Sequence, residues 1–292
     1  MSSNTTFIFF GSSQMSIYVL DELEKAGYMP KAVVTTPDKP VGRKQVLTPT
    51  PVKEWAQKRN INVYDPAALK ISDPNGAATI ERLKNDNADI FIVASYGKII
   101  PKEVFDIPPY KTLNVHPSLL PKYRGASPLQ SAILDDEKNT GVTIIRIDEQ
   151  MDHGPIVAQE SIHINEWPVY EKFEEMMAHS GGHLLVDILP DWISGKIEEI
   201  PQDETKATYS KKFTKEDGLI DLNDDPYLNF RKIQAFHMWP QAYFFIDHNS
   251  KQTRIKITDA EFKSGQLVIN KVVPEGSKEI KYEDFRRGYD KR

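Results

Sequence analysis

The stretch DIFIVAS, residues 89–95, is the strongest strand signal in the chain, and the segments around it decide the fold. Apolar and β-branched runs of this kind alternate with segments whose apolar residues recur at helical spacing. The runs lie at 6–10, 31–35, 61–64 and 111–116, and the helical segments at 15–26, 51–59 and 76–86. This alternation predicts an α/β fold with a mostly parallel sheet, right-handed crossovers and strands that are buried on both faces.

The second half of the chain first continues this pattern. The sequence predicts helices at 128–134 and 169–189 and strands at 140–148 and 156–162. Residues 190–207 then hold prolines and many charges but few apolar side chains, a composition that is typical of a linker. We therefore expect the α/β domain to occupy residues 1–189.

A different pattern fills residues 208–292, where we expect a second domain. A helical segment at 227–236 precedes three short runs of alternating apolar and polar residues, at 242–247, 254–258 and 266–270. Short strands with turn residues between them favour a small β-barrel.

Composition narrows the possible classes of protein. The chain has 292 residues, 39% of them hydrophobic and 27% charged, which is ordinary for a globular protein. It has no cysteine, which excludes disulfides, thiolate catalysis and cysteine metal sites. No run approaches the roughly 20 apolar residues of a membrane helix. No basic residue precedes the short apolar run at 7–10, so we expect a buried first strand there and no signal peptide. From the absence of cysteine we expect a cytoplasmic location.

Charge is unevenly distributed along the chain. Residues 205–292 carry 17 Lys and Arg against 13 Asp and Glu, a net charge of +4, whereas the first 204 residues carry 20 against 29. The total of −5 argues against a protein that coats nucleic acid over its whole surface. The basic C-terminal part is either a module that binds a polyanion or ordinary scatter of surface charge.

Three polar residues suggest a catalytic site. A strand over 111–116 puts Asn114 and His116 on one face, and Pro117 ends that strand. Asp152 lies just before Gly154, after the strand predicted at 140–148; if the two strand ends lie side by side, its carboxylate reaches His116. These three groups suit acyl transfer without a covalent intermediate. The amide can hold a developing oxyanion, the imidazole can hold charge or move a proton, and the carboxylate can orient the imidazole.

Other kinds of chemistry fit the sequence poorly. The histidines at 153, 163 and 183 form no compact set of metal ligands, so we expect no metal. Ser118 lacks the G-x-S-x-G turn of a nucleophilic serine. Gly11, Ser12 and Ser13 follow the first strand without a G-x-G-x-x-G fingerprint, which argues against a dinucleotide site.

The segment TTPDKPVGRKQVLTPTPVK, residues 35–53, is long for a connection in an α/β unit. Its four prolines predict that no helix or strand runs through it easily. Besides Lys53 at its end, it carries three basic residues, Lys39, Arg43 and Lys44. The segment is therefore either a functional loop or a solvated surface loop.

These motifs resemble the folate-dependent formyltransferases. Asn114, His116 and Asp152 fall on the catalytic Asn-x-His and Asp positions of that superfamily. Further motifs resemble the branch that formylates methionyl-tRNA; they are RGASP (124–128), VASYGKIIP (93–101), PDKPVGRK (37–44), PTPVK (49–53), TYSKKFTKED (208–217) and QAFHMWP (234–240). The resemblance covers nearly the whole chain.

The resemblance implies a Rossmann-like N-terminal domain and a small OB-like C-terminal barrel that contacts tRNA. It implies that a cytoplasmic monomer transfers the formyl group of 10-formyltetrahydrofolate, a co-substrate, to the α-amine of methionyl initiator tRNA in translation initiation. The implied site residues are Asn114, His116 and Asp152 for catalysis; Val93, Tyr96, Gly97, Ile99, Ser118, Leu119, Leu120, Pro121 and Asp148 for folate; and Lys39, Arg43 and Lys44 for tRNA.

The chain departs from that family in two places, and two other functions stay open. Its C-terminal domain is shorter than usual, and Gly11-Ser12-Ser13 replaces the usual Gly-Thr-Pro. A sugar-nucleotide N-formyltransferase would share the catalytic residues and the folate pocket, although the motif at 37–44 is not expected in such enzymes. A non-catalytic RNA-binding protein would use only the basic C-terminal part.

Overall fold

The computed structural model describes residues 5–42, 44–248 and 251–289, which form two compact units. The first unit comprises the chain up to residue 124 together with 141–162 and 175–208. The second comprises 125–140, 163–174 and the chain from residue 209 onward. Each unit combines several separate stretches of the chain, whereas each predicted domain is one continuous stretch. The units therefore do not test the predicted domain boundaries, which stay a prediction.

Strands in the described residues are β1 (Phe7–Phe10), β2 (Ala32–Val34), β3 (Lys39–Val41), β4 (Val46–Thr48), β5 (Asn62–Tyr64), β6 (Ile90–Val93), β7 (Thr112–His116), β8 (Arg124–Gly125), β9 (Asn139–Arg146), β10 (Ile156–His163), β11 (Tyr209–Ser210), β12 (Tyr243–His248), β13 (Lys251–Lys263), β14 (Gln266–Pro274) and β15 (Ile280–Lys281). The α-helices are α1 (Gln14–Lys25), α2 (Pro51–Gln57), α3 (Pro74–Asn85), α4 (Lys102–Phe105), α5 (Pro128–Leu134), α6 (Tyr170–Ile193), α7 (Pro226–Ala235) and α8 (Tyr282–Tyr289).

The main sheet has seven strands in the order β10-β9-β7-β6-β1-β2-β5. The five central and distal strands, from β7 to β5, pair in parallel, and β9 pairs antiparallel with β7. Alternate residues of β1 enter two different core clusters: Phe7 and Phe9 one, Ile8 and Phe10 the other. Burial on both faces explains why β1 is apolar without a break.

Proline-initiated helices follow two of these strands. Thr50 caps α2 by accepting a hydrogen bond from the Lys53 N–H at 3.1 Å, and Asp73 caps α3 in the same way from Gly76 at 3.2 Å. In both helices proline occupies the first turn, where its missing N–H leaves no helical bond unmade. The crossovers predicted from the sequence are therefore present, with boundaries shifted by a few residues.

Two local predictions were wrong. The segment 35–53 contains a hairpin of β3 and β4, although no strand was expected there. Each strand has three residues and belongs to a two-stranded sheet, where Pro40 is tolerated because the sheet has only edges. The helix expected at 169–189 was too short, because α6 continues through Pro190 to Ile193.

The second unit contains a four-stranded antiparallel sheet in the order β12-β13-β14-β15. Its strands cover the three runs predicted at the C-terminus, and β13 is the longest, with 13 residues. Ile233 of α7 and Phe285 of α8 belong to the same core cluster as Ile255 and Val272 of the sheet. A mostly parallel α/β sheet and a separate small antiparallel sheet confirm the predicted fold class. Within the described residues, no helix is both long and apolar enough to cross a membrane.

Candidate active site

Strand β7 places two of the predicted catalytic residues. Asn114 and His116 are two positions apart, so their side chains leave the same face of the sheet. Asn114 is half-buried, whereas the His116 side chain is only 4% exposed. Strand β7 lies between β6 and β9, and its hydrogen bonds to these two strands fix its backbone from both sides.

The imidazole of His116 lies between two acceptors. Its Nδ1 is 3.6 Å from Oδ1 of Asp152. Its Nε2 lies 3.0 Å from the carbonyl oxygen of Tyr123, and because a carbonyl only accepts, Nε2–H donates this bond. The ring is therefore hydrogen-bonded through Nε2 to the backbone of the loop that follows β7, whereas Nδ1 faces a carboxylate that lies beyond hydrogen-bond distance.

Asp152 reaches His116 by a route that differs from the expected one. Because β9 is antiparallel to β7, Arg146 at the carboxyl end of β9 pairs with Leu113 near the start of β7, not with His116. The loop 147–155 between β9 and β10 nevertheless brings the Asp152 carboxylate to the imidazole. The expectation that the two strand ends lie side by side was wrong, although the pair that it predicted is formed.

The turn that carries Asp152 has a demanding backbone. Asp152 has φ of 50°, in the left-handed region that costs a residue with a Cβ some free energy. Two residues later, a Cβ on Gly154 would overlap the carbonyl oxygen of Arg146 and stand 2.9 Å from its carbonyl carbon. Glycine is therefore required at 154, where the turn closes onto the end of β9.

Asp148 and His153 fix the same turn from within. The Asp148 carboxylate lies 2.6 Å from His153 Nδ1 and accepts a hydrogen bond from the Gln150 N–H at 2.9 Å. Asp148, predicted to contact folate, thus uses both carboxylate oxygens within its own loop.

A second loop, residues 117–123, passes over His116 and includes the predicted folate segment 118–121. The Thr143 hydroxyl donates to the carbonyl of Ser118 at 2.6 Å and accepts from the Leu120 N–H at 3.1 Å. Gln159 donates to the carbonyl of Leu120 at 2.7 Å. Ser118 and Leu120 are buried, whereas Leu119 and Pro121 are half-buried, so the loop offers a fixed backbone.

The other predicted folate segment, residues 93–99, follows β6. Val93 and Tyr96 are buried in a core cluster, whereas the Ile99 side chain is 84% exposed. Ser95 and Gly97 have φ of 53° and 76°, so the backbone turns sharply at the strand end. Burial raises the pKa of Tyr96, and no hydrogen-bond partner of its hydroxyl is found in the described part of the chain.

The hairpin of β3 and β4 carries the predicted tRNA contacts. Lys39 and Lys44 are exposed, and Arg43 lies outside the described residues. At the base of the hairpin, Lys53 binds Asp38 and Asp65, each at 2.8 Å, and these bonds raise the pKa of Lys53. The sequence did not predict these two ion pairs, although Lys53 is the last residue of the motif PTPVK.

Several residues that sequence reasoning missed surround the site. They are Tyr123, Thr143, Gln159, Gln202 and Thr208, whose hydrogen bonds fix the two loops. Tyr123 lies only seven residues after His116, but the other four are far from their partners along the chain, and no local pattern marks them. Among the residues that the structure describes, no group of three or more His, Cys, Asp or Glu side chains could hold a metal ion.

Comparison with known protein families and sequences gives a consistent result. A family model described as formyl transferase matches residues 4–189. A methionyl-tRNA formyltransferase of Sulfurihydrogenibium sp. (strain YO3AOP1) is 39% identical over 254 residues, which cover 87% of this chain and 79% of the relative. One of Staphylococcus aureus (strain MW2) is 38% identical over 257 residues, covering 88% and 79%.

Solved structures show the same fold at lower identity. An N-formyltransferase of Helicobacter canadensis, in complex with folinic acid and dTDP-3-aminofucose, matches with a TM-score of 0.63 at 21% identity over 89% of each chain. A methionyl-tRNA formyltransferase of Clostridium thermocellum matches with a TM-score of 0.60 at 18% identity, covering 92% of this chain and 98% of that one.

Proposed function

The chain belongs to the methionyl-tRNA formyltransferase family, and on that premise we propose that it transfers a formyl group from 10-formyltetrahydrofolate to the α-amine of methionyl initiator tRNA. The observation that carries this proposal is the identity of 38–42% to curated members over 82–88% of the chain. The apposition of His116 and Asp152 beside Asn114 gives the chain the groups that acyl transfer to an amine needs.

Two segments fit the folate co-substrate. The backbone of residues 93–99 turns at the carboxyl end of β6, the edge where open α/β sheets bind ligands. The loop 118–121 is fixed by Thr143 and Gln159 and offers backbone groups to a polar ring edge. These segments would hold the pterin; when bound, 10-formyltetrahydrofolate supplies the activated formyl group.

Asn114 and His116 stabilise the negative charge that develops on the formyl oxygen as the neutral amine attacks. The Asn114 amide is half-buried and donates to that oxygen. When protonated, His116 contributes its positive charge to this stabilisation. Both of its nitrogens face acceptors, and only the imidazolium carries a proton on each of them.

Asp152 orients the imidazole. Through a water molecule, it would take the proton that the amine loses and return it to the tetrahydrofolate nitrogen as the bond between that nitrogen and the formyl carbon breaks. Its carboxylate faces Nδ1 of His116, while the side chain stays 15% exposed and so remains accessible to water. Positioned acid–base groups of this kind contribute roughly 10²–10⁴-fold to a rate.

The tRNA is bound by the exposed hairpin and by the C-terminal domain. Lys39, Arg43 and Lys44 contact phosphates, which position a nucleic acid rather than select its sequence. We assign residues 1–189 to catalysis, 190–207 to a linker and 208–292 to tRNA binding. We further propose that the protein acts as a monomer in the cytoplasm.

A formylation assay with a panel of acceptors tests this proposal. The chain is incubated with 10-formyltetrahydrofolate and either methionyl initiator tRNA or a dTDP-amino sugar, and products are identified by mass spectrometry. We expect formylmethionyl-tRNA alone. Formylation of the sugar alone would favour a sugar-nucleotide enzyme, and tRNA binding without any formylation would favour an RNA-binding protein.

A further inference from the structure

We infer that Gln202, held by the buried Arg124, is a positioning residue that clamps the turn carrying Asp152. The inference rests on the proposed function, because it assigns Gln202 a role in formyl transfer. Gln202 lies in the segment that the sequence marks as a linker, 50 residues from Asp152. The argument concerns the first structural unit alone, to which all three residues belong.

Gln202 bridges both sides of the catalytic turn. Its Nε2 donates to the carbonyl oxygen of Asp152 and to that of Gly154, each at 2.8 Å. Both hydrogens of one amide group are thus used on the peptide units that follow Asp152 and Gly154. A strained turn persists only where its surroundings fix it, and these two bonds fix the backbone next to the catalytic carboxylate.

Arg124 determines which way the Gln202 amide points. Its Nε and Nη2 lie 3.1 and 2.8 Å from Oε1 of Gln202. A guanidinium only donates, so the oxygen of the amide must face Arg124 and the NH₂ group must face the turn. The Arg124 side chain is fully buried, so this orientation is set inside the protein rather than by solvent.

Glu204 completes the clamp. It binds Arg124 through both carboxylate oxygens, at 2.6 and 3.0 Å, which compensates the buried guanidinium charge. The same carboxylate lies 3.4 Å from Nε2 of His153, whose other nitrogen lies 2.6 Å from Asp148. Residues 202–204 therefore hold the loop at two points, one at Asp152 and one at His153.

The segment that carries the clamp is itself fixed to the sheet. Ile200 exchanges two backbone hydrogen bonds with Ile156 of β10, at 2.8 and 2.9 Å. Glu199 binds Arg146 at the end of β9, at 2.7 and 2.8 Å. The segment that precedes Gln202 is thus fixed to the sheet. Arg124, the first residue of the RGASP motif, orients the Gln202 side chain.

Two substitutions remove the donated bonds. Gln202→Glu keeps the size of the side chain and the acceptor for Arg124 but turns oxygen toward the two carbonyls. Gln202→Met removes the donors without adding charge; it also removes the acceptor for Arg124, whose guanidinium keeps its two bonds to Glu204. We expect each substitution to lower kcat roughly 10–100-fold, which is the size of loss that a catalytic group misplaced by about 1 Å causes. The KM for folate should stay within about 2-fold of the wild-type value, because the substitutions remove no contact to folate. Gln57→Glu, at an exposed site in α2, is the control for the chemical change.

A double-mutant cycle separates positioning from a general structural role. If Gln202 acts through Asp152, Gln202→Met in an Asp152→Asn background adds less than about 3-fold to the loss. Hydrogen exchange of the peptide 148–154 should also become faster in both Gln202 variants. An unchanged kcat, or an equal factor lost in both backgrounds, would overturn the inference. If the wild-type protein formylates no acceptor, the proposed function is refuted. The clamp can then still be tested, because hydrogen exchange of the peptide 148–154 at the wild-type rate in both Gln202 variants would refute it.

Discussion

Substitution of Gly154 by alanine should disable the candidate site with little effect on the rest of the protein. An added Cβ would overlap the carbonyl oxygen of Arg146 and approach the Asp148 nitrogen at 3.4 Å. Neither neighbour is a flexible side chain, so the turn itself must move by about 1 Å, and a displacement of that size near a reacting group can cost roughly 10²-fold in rate. Overpacking of a well-packed position costs about 1–3 kcal/mol of stability, so the variant should still fold.

The assay is steady-state formylation of methionyl-tRNA, with thermal unfolding measured on the same samples. Gly288→Ala is the matched control, because a Cβ there meets nothing within 4 Å and Gly288 lies in α8. We expect Gly154→Ala to lose kcat about 10²-fold and the control to keep it. A Gly154→Ala variant with the wild-type kcat would show that the position of the Asp152 turn does not limit catalysis.

Three further predictions follow from the contacts around the site. Asp152→Asn should lower kcat by about 10²–10⁴-fold without lowering Tm, whereas Asp187→Asn, at an exposed position, should change neither; wild-type turnover in the first would exclude Asp152 from the chemistry. Lys53→Met should raise the KM for tRNA by up to about 5-fold, the factor for about 1 kcal/mol of ion pairing, and leave the KM for folate unchanged; equal changes in both would mean that the hairpin base supports the whole domain. The hydrogen bond from Arg124 lowers the pKa of Glu204 from its usual value of 4.5. The ionised Glu204 therefore stabilises the folded protein fully above pH 4.5, and this stabilisation is lost as the pH falls through the lower pKa of the folded state. The Tm difference between wild type and Glu204→Gln should therefore shrink below pH 4.5, and a constant difference would contradict that linkage.

The fold could be predicted where burial leaves a strong pattern. Strands such as β1 and β6 are apolar at every position because both faces are covered, and that pattern is visible without a structure. The hairpin of β3 and β4 could not be predicted, since its six strand residues are mostly exposed and one of them is a proline. The antiparallel direction of β9 also left no sign in its sequence.

The site was predictable to a similar extent. A period of two put Asn114 and His116 on one face, and the short loop before Gly154 correctly suggested a turn at Asp152. The clamp of Gln202 and Arg124 could not be predicted, because hydrogen bonds between side chains 78 residues apart produce no periodic pattern. The roles of the predicted folate and tRNA residues stay predictions.

Competition between acceptors in one reaction tests the central claim most directly. Wild-type and Asp152→Asn proteins receive 10-formyltetrahydrofolate with equal concentrations of methionyl initiator tRNA and a dTDP-amino sugar, and both formylated products are counted by mass spectrometry. Formylmethionyl-tRNA formed by the wild type, and lost about 10²-fold or more in Asp152→Asn, is the predicted result. Formylated sugar as the main product, or tRNA formylation that persists in Asp152→Asn, would contradict it.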